Sequence, residues 1–254
     1  SFGVFIARWQ ILRLAVKAGG NEDNHNHNDT GSLTLYKNGR PVLVDIGVES
    51  YTGKTFSAQR YEIWTMQSGY HNLPAIEGLD QQEGGSYRAT EVKQKADKQR
   101  AEISMELINA YPLPEKGHTY RRRVLLDKVQ ECVVLQDETD CKNVVLNFIT
   151  YDKPELEDEE SNPENVGKMD RCNPKNADSM GGCNHLSVSV KPTRQFSNGT
   201  VIKLGSSHLE FTGAELLVIE TLPVTDPRLQ AAWDHDLYRI RLTMTGEKFI
   251  LHIR

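Results

Sequence analysis

Apolar and polar residues alternate with a period of two along most of this chain, and long helical periodicity is scarce. Alternation of this kind marks strands that bury one face. Residues 32–36 and 41–45 are two such runs, joined by Lys37-Asn38-Gly39-Arg40. Asn-Gly between apolar runs predicts a tight hairpin, because both central turn residues need positive φ. Asn198-Gly199 repeats the device between residues 194–196 and 200–202. Near the end, residues 237–244 read out and residues 248–253 read back around Thr245-Gly246-Glu247. The opening SFGVFIAR and residues 124–126, 132–135 and 144–150 are further runs of strand length. Residues 92–108 carry a charge run that suits a helix, although alternation after Ala101 suits a strand equally well. The expected fold is all-β, a large antiparallel β-sandwich (a super-sandwich) of many strands.

Composition narrows this picture. A length of 254 residues suits one large sandwich, expected as a single domain over 1–254 with an acidic loop insertion at about 152–182. That insertion, rich in Asp, Glu, Pro, Gly and Asn, reads as a long surface excursion. A net charge of −5 argues against a nucleic-acid partner, so any anionic ligand must be met by a local cluster of charge. No stretch approaches the roughly 20 apolar residues of a membrane helix, and no membrane partner is expected. Cys132, Cys141, Cys172 and Cys183 form no CxxC pair and read as thiols, though Cys172 and Cys183 could close a small loop. Opening inside a strand and without Met, the chain reads as a piece of a longer protein.

The candidate chemistry lies in GGNEDNHNHNDTGSLTLYKNGRPVLVDIG, residues 19–47. His25 and His27 stand two apart, which in extended backbone puts both on one face. The hairpin would return Asp45 alongside them, and His71 in Tyr70-His71-Asn72 offers a second imidazole. His27, Asp45 and His71 together are a donor set for Zn²⁺, or for another divalent transition ion. An Asn/His/Asp-rich stretch can equally be a solvated loop that caps its own backbone. Tyr51, Arg60 and Tyr61 could line a substrate groove, with Arg60 meeting a carboxylate or sulfate, or be ordinary surface residues. Arg121, Arg122 and Arg123 read as a solvated strand, with Arg122 on the face opposite its neighbours. Trp64 and Trp233 read as core or edge packing.

The HNHND loop, the Asn-Gly hairpin and the Asp45-Ile46-Gly47 strand end resemble the heparinase II/III-like lyase family. The resemblance continues through Tyr70-His71-Asn72-Leu73-Pro74, Ala110-Tyr111-Pro112, residues 118–126, residues 220–228 and residues 237–240. It implies the C-terminal β-sandwich of a two-domain enzyme whose N-terminal α/α toroid has no counterpart in this chain. It implies His25 as catalytic histidine, with His27, Asp45 and His71 as metal ligands. The substrate implied is an acidic polysaccharide containing uronic acid, heparin/heparan sulfate-like or alginate-like, cleaved by β-elimination. His25 would then quench the uronate charge or act as base, while the catalytic tyrosine and an Asn or His carboxylate-neutraliser would come from the helical domain. The parent is expected to be bacterial and periplasmic or secreted, with a cytoplasmic setting open. A non-catalytic carbohydrate-binding or structural sandwich, its metal stapling a loop, is the competing expectation, and a cupin-like metal enzyme is a weaker third.

Overall fold

A computed structural model describes residues 3–22, 26–114, 117–156 and 200–254. In chain order its strands are β1 Val4–Trp9, β2 Leu12–Lys17, β3 Gly20–Asn21, β4 Leu33–Lys37, β5 Arg40–Leu43, β6 Pro74–Ile76, β7 Gly84–Arg88, β8 Thr90–Ala96 and β9 Arg100–Glu106. There follow β10 Tyr120–Asp127, β11 Cys132–Thr139, β12 Val144–Thr150, β13 Glu155–Leu156, β14 Thr200–Leu204, β15 Ser207–Thr212, β16 Ala214–Leu222, β17 Leu237–Met244 and β18 Lys248–Ile253. Helical structure among the described residues is confined to short 3₁₀ turns and a four-residue helix, α1, Pro227–Gln230. None is long and apolar enough to cross a membrane.

Two antiparallel eight-stranded sheets form the sandwich. The first runs β1-β2-β4-β5-β12-β17-β16, with β6 also on β12; the second runs β13-β14-β15-β18-β11-β10-β9-β8. The alternation explains the core. Leu12, Leu14, Val16, Leu33, Leu35, Phe148 and Leu242 face inward from the first sheet. Ile103, Val124, Leu135, Phe211, Phe249 and Leu251 meet them from the second. The outer face of the first sheet carries a smaller core of Val44, Ile46, Ile149, Leu222, Val224, Leu229 and Leu237, with Trp64, Tyr70 and Trp233 packed on it. Apolar area removed from water on both faces is the main favourable term.

The Asn-Gly hairpin joins β4 to β5 as expected, with φ of +51° at Asn38 and +76° at Gly39. Residues 92–108 resolve to strand: β8 and β9 pair, and Asp97 Oδ1 accepts from the Gln99 and Arg100 amides in the turn. The C-terminal expectation needs correction. β17 and β18 have the expected bounds but are not partners: β17 lies between β12 and β16, and β18 between β11 and β15. The chain crosses from one sheet to the other at residues 245–247, beside a second crossing at Gly213 between β15 and β16. Gly213 has φ of +82°, and a Cβ there would stand 2.0 Å from the Lys248 carbonyl oxygen, so the crossing needs glycine. Residues 157–182 of the acidic insertion, the Asn198-Gly199 turn, Cys172 and Cys183 lie outside the described residues.

Candidate metal centre

Three segments distant in sequence converge at one end of the first sheet. His27 follows the Asn/His loop, Asp45 stands two residues beyond β5, and His71 ends the run of 3₁₀ turns before β6. One donor atom from each lies within 4.8 Å of the other two. The imidazole centroids of His27 and His71 are 5.2 Å apart with planes inclined by 49°. His71 Nδ1 stands 3.2 Å from Asp45 Oδ2, outside hydrogen-bonding alignment, while Asp45 Oδ1 accepts from the Gly47 amide at 2.8 Å. His71 is fully buried, and neither of its ring nitrogens has a hydrogen-bond partner. An orphaned buried nitrogen is costly, and two on one ring beside a carboxylate and a second imidazole suit a cation placed among them. The donor set N, N, O fits Zn²⁺, whose sites use these ligands.

The electrostatics agree. Burial, then repulsion from His71, lowers His27 to about 4, so its imidazole is neutral and available as a ligand at neutral pH. Desolvation opposes ionisation of Asp45, but His71, His27 and the Gly47 amide outweigh it and hold the carboxyl below its usual range. Burial would lower His71 too, yet the Asp45 carboxylate prevails and raises it. The cluster therefore favours positive charge beside Asp45.

A family described as heparinase II/III-like, C-terminal, matches residues 3–144, a span that holds all three side chains. The chain belongs to this family. Among solved structures, the heparan sulfate lyase HepC from Pedobacter heparinus superposes with a TM-score of 0.60 at 15% identity, over 100% of this chain and 34% of that one. A heparinase III gives 0.57 at 15% identity, over 98% of this chain and 34% of that one. At such identities the likeness shows the fold alone. The chain spans about a third of the length of these structures. No curated protein matches it.

In this heparinase II/III-like domain a buried polar frame holds the trio. Asn72, next to His71, donates through Nδ2 to the Leu33 and Val44 carbonyls at 2.7 and 3.0 Å and accepts through Oδ1 from the Ile149 amide at 2.7 Å. β5 and β12 are paired in register only at Leu43–Thr150, and the Asn72 amide bridges the splay just before Asp45. Arg122 extends from β10 into the sandwich interior, 1% exposed, and forms two bonds to Asp137, its register partner on β11. Its remaining nitrogen donates to the Gly31 and Asn72 carbonyls at 3.0 and 2.7 Å, tying the His27 and His71 segments to the second sheet. Gly31 has φ of +91°, and a Cβ there would meet Leu107 at 2.6 Å. Gln81 clasps Thr30 through both its backbone amide and its carbonyl. Arg122 thus corrects the reading of residues 121–123 as a solvated strand. The alternation was right, but the lone inward arginine has a carboxylate waiting for it.

The remaining expected residues are placed less centrally. His25 lies outside the described residues. Arg60 spends its guanidinium on the Thr55 and Asn26 carbonyls, at 3.0 Å each, and Tyr61 donates to Asn26 Oδ1 at 2.9 Å, so Arg60 braces the backbone and Tyr61 the Asn26 side chain beside His27. Tyr51 is 49% exposed, packs on Phe56 and lies under the Arg228 guanidinium, apart from the trio. Trp64 and Trp233 are half-buried against the outer core, as expected for packing residues.

Proposed function

We propose that this domain is the β-sandwich part of a polysaccharide lyase that cleaves a uronic-acid-containing chain, heparin/heparan sulfate-like or alginate-like, by β-elimination. A helical domain elsewhere in the same protein would complete the active site. The observation that carries the reading is the convergence of His27, Asp45 and His71 directly after the loop that contains His25. In β-elimination the C5 proton leaves, a C4–C5 double bond forms, the C4–O glycosidic bond breaks, and the leaving oxygen gains a proton. The C5 proton is too weakly acidic until the adjacent carboxylate charge is quenched. His25 would quench that charge or take the proton, work an imidazole performs near neutral pH. Arg60 and Tyr61 serve it indirectly by fixing the backbone carbonyl and the side chain of Asn26, one residue on in the chain. Tyr51, exposed but with the Arg228 guanidinium over its ring, would meet substrate only away from the trio. His27, Asp45 and His71 would hold a divalent ion, Zn²⁺ first, which supplies a cross-link and a fixed positive charge.

The test uses the whole protein, helical domain included. His25→Ala should lower the rate of unsaturated-uronate formation, read by its absorbance, by about 10²–10⁴-fold with unfolding unchanged. Undiminished activity in that variant would defeat the catalytic role. Absence of any lyase activity in the wild-type protein, together with retained metal, would favour the sandwich whose ion staples a loop.

A further inference from the structure

A second cluster of donors stands at one end of the second sheet. β10 and β11 pair antiparallel with Tyr120 opposite Thr139, so His118 and Cys141, each two residues beyond that pair, emerge side by side. One donor atom each from His118, Asp140 and Cys141 lies within 4.8 Å of the others. His118 Nδ1 is 3.4 Å from Asp140 Oδ1. Backbone and side-chain hydrogen bonds hold the cluster in place. Thr139 Oγ1 donates to the Thr119 carbonyl at 2.7 Å and accepts from the Cys141 amide at 3.0 Å. Asp140 Oδ1 accepts from the Thr119 amide at 2.8 Å, and Glu77 receives the Lys142 and Asn143 amides on the far side of Cys141. The thiol is buried and forms no disulfide, while the Asp140 carboxylate is half exposed, so the cluster is open on one side.

We propose that His118, Asp140 and Cys141 form a second metal site, open to solvent, for a borderline-soft divalent ion of the Zn²⁺ class. It shares no residue with the His27–Asp45–His71 trio and does not depend on the lyase reading. Imidazole nitrogen, thiolate sulfur and carboxylate oxygen together select Zn²⁺ or Co²⁺ over the hard ions Mg²⁺ and Ca²⁺. Binding replaces the Cys141 S–H bond by an S–metal bond and releases one proton to solvent. Three protein ligands leave a position for water or for an anionic group of a ligand.

Co²⁺ titration of the metal-stripped chain under reducing conditions tests this, because the trio contains no sulfur. A thiolate-to-cobalt charge-transfer absorption should appear in the near ultraviolet and saturate by two equivalents, the sulfur-free trio taking the other. It should vanish in Cys141→Ser, persist in Cys132→Ser, Cys172→Ser and Cys183→Ser, and require at least about tenfold more Co²⁺ in His118→Ala. Should Cys141→Ser fail to fold, the surface variant His118→Ala decides alone. No charge-transfer absorption in the wild-type chain, its survival in Cys141→Ser, or an unchanged midpoint in His118→Ala would each overturn the second site.

Discussion

The two donor clusters are built in opposite ways. His27, Asp45 and His71 come from three segments that meet only when both sheets are in place, framed by Asn72, Gln81 and Arg122. His118, Asp140 and Cys141 come from one end of a single strand pair, framed by a threonine hydroxyl and local carboxylates. The first therefore reports on the whole fold, and the second on a single hairpin. An ion in the first would bind tertiary structure together and add to stability by mass action; an ion in the second would restrain loops already fixed by β10 and β11.

Breaking the frame of the first cluster should have the largest effect. Arg122→Ala leaves Asp137 charged and buried and should cost about 3–5 kcal/mol in denaturant unfolding. Arg122→Met with Asp137→Leu should recover part of that loss, limited by the buried Tyr120 hydroxyl, which donates to Asp137 Oδ2 at 2.7 Å and would lose its acceptor, and should leave metal affinity at the trio weakened, since the Gly31 and Asn72 carbonyls lose their donor. A double variant as unstable as Arg122→Ala would contradict this. Asn72→Ala should come next, at about 1–3 kcal/mol in all, the vacated space admitting water to the Leu33 and Val44 carbonyls and the Ile149 amide. The third effect is ligand-linked: Zn²⁺ at a hundred times its Kd should add about 2.7 kcal/mol. In a Cys141→Ser background, which removes the second site, chelation should lower Tm and should leave the same background carrying His71→Ala unmoved, as calorimetry would show.

The smallest effect is on pH dependence in the metal-free chain. His27 is depressed from 6.5 to about 4, so its contribution is fully present above pH 6.5 and is lost as pH falls toward about 4. His71 is raised, so its contribution is fully present below 6.5 and is lost as pH rises through its folded value. Metal-free stability should therefore peak near pH 6.5. His27→Gln should flatten the acid limb and His71→Gln the limb above, in unfolding curves taken across that range. A limb that keeps its slope would show that the group assigned to it does not titrate there.

Much of this architecture was legible in the residues. The period of two located β10, β11, β12, β17 and β18, and Asn38-Gly39 specified its turn, because these are local properties of backbone and burial. Strand partnership is not local. Residues 237–244 and 248–253 look like a hairpin, and what sends them to different sheets is the neighbouring crossing at Gly213, where the Thr245 amide meets the Gly213 carbonyl at 3.0 Å. The trio was legible because histidine is scarce, eight in all, and Asp45 stands where a hairpin returns the chain to His27. Arg122 was half legible. Alternation set it on the face opposite Arg121 and Arg123, but which face is buried depends on Asp137 fifteen residues later and on register, which no single segment encodes. The second cluster escaped notice because its ligands look unremarkable until β10 and β11 are paired.

The central claim is that one divalent ion sits among His27, Asp45 and His71. Diffraction recorded on both sides of the zinc absorption edge, from crystals of the metal-stripped chain resupplied with Zn²⁺, tests it most directly. The account predicts an anomalous peak bonded to a nitrogen of each imidazole and an oxygen of Asp45, at about 2.0–2.2 Å. Ordered water joining those three side chains, with no anomalous peak between them, would contradict it.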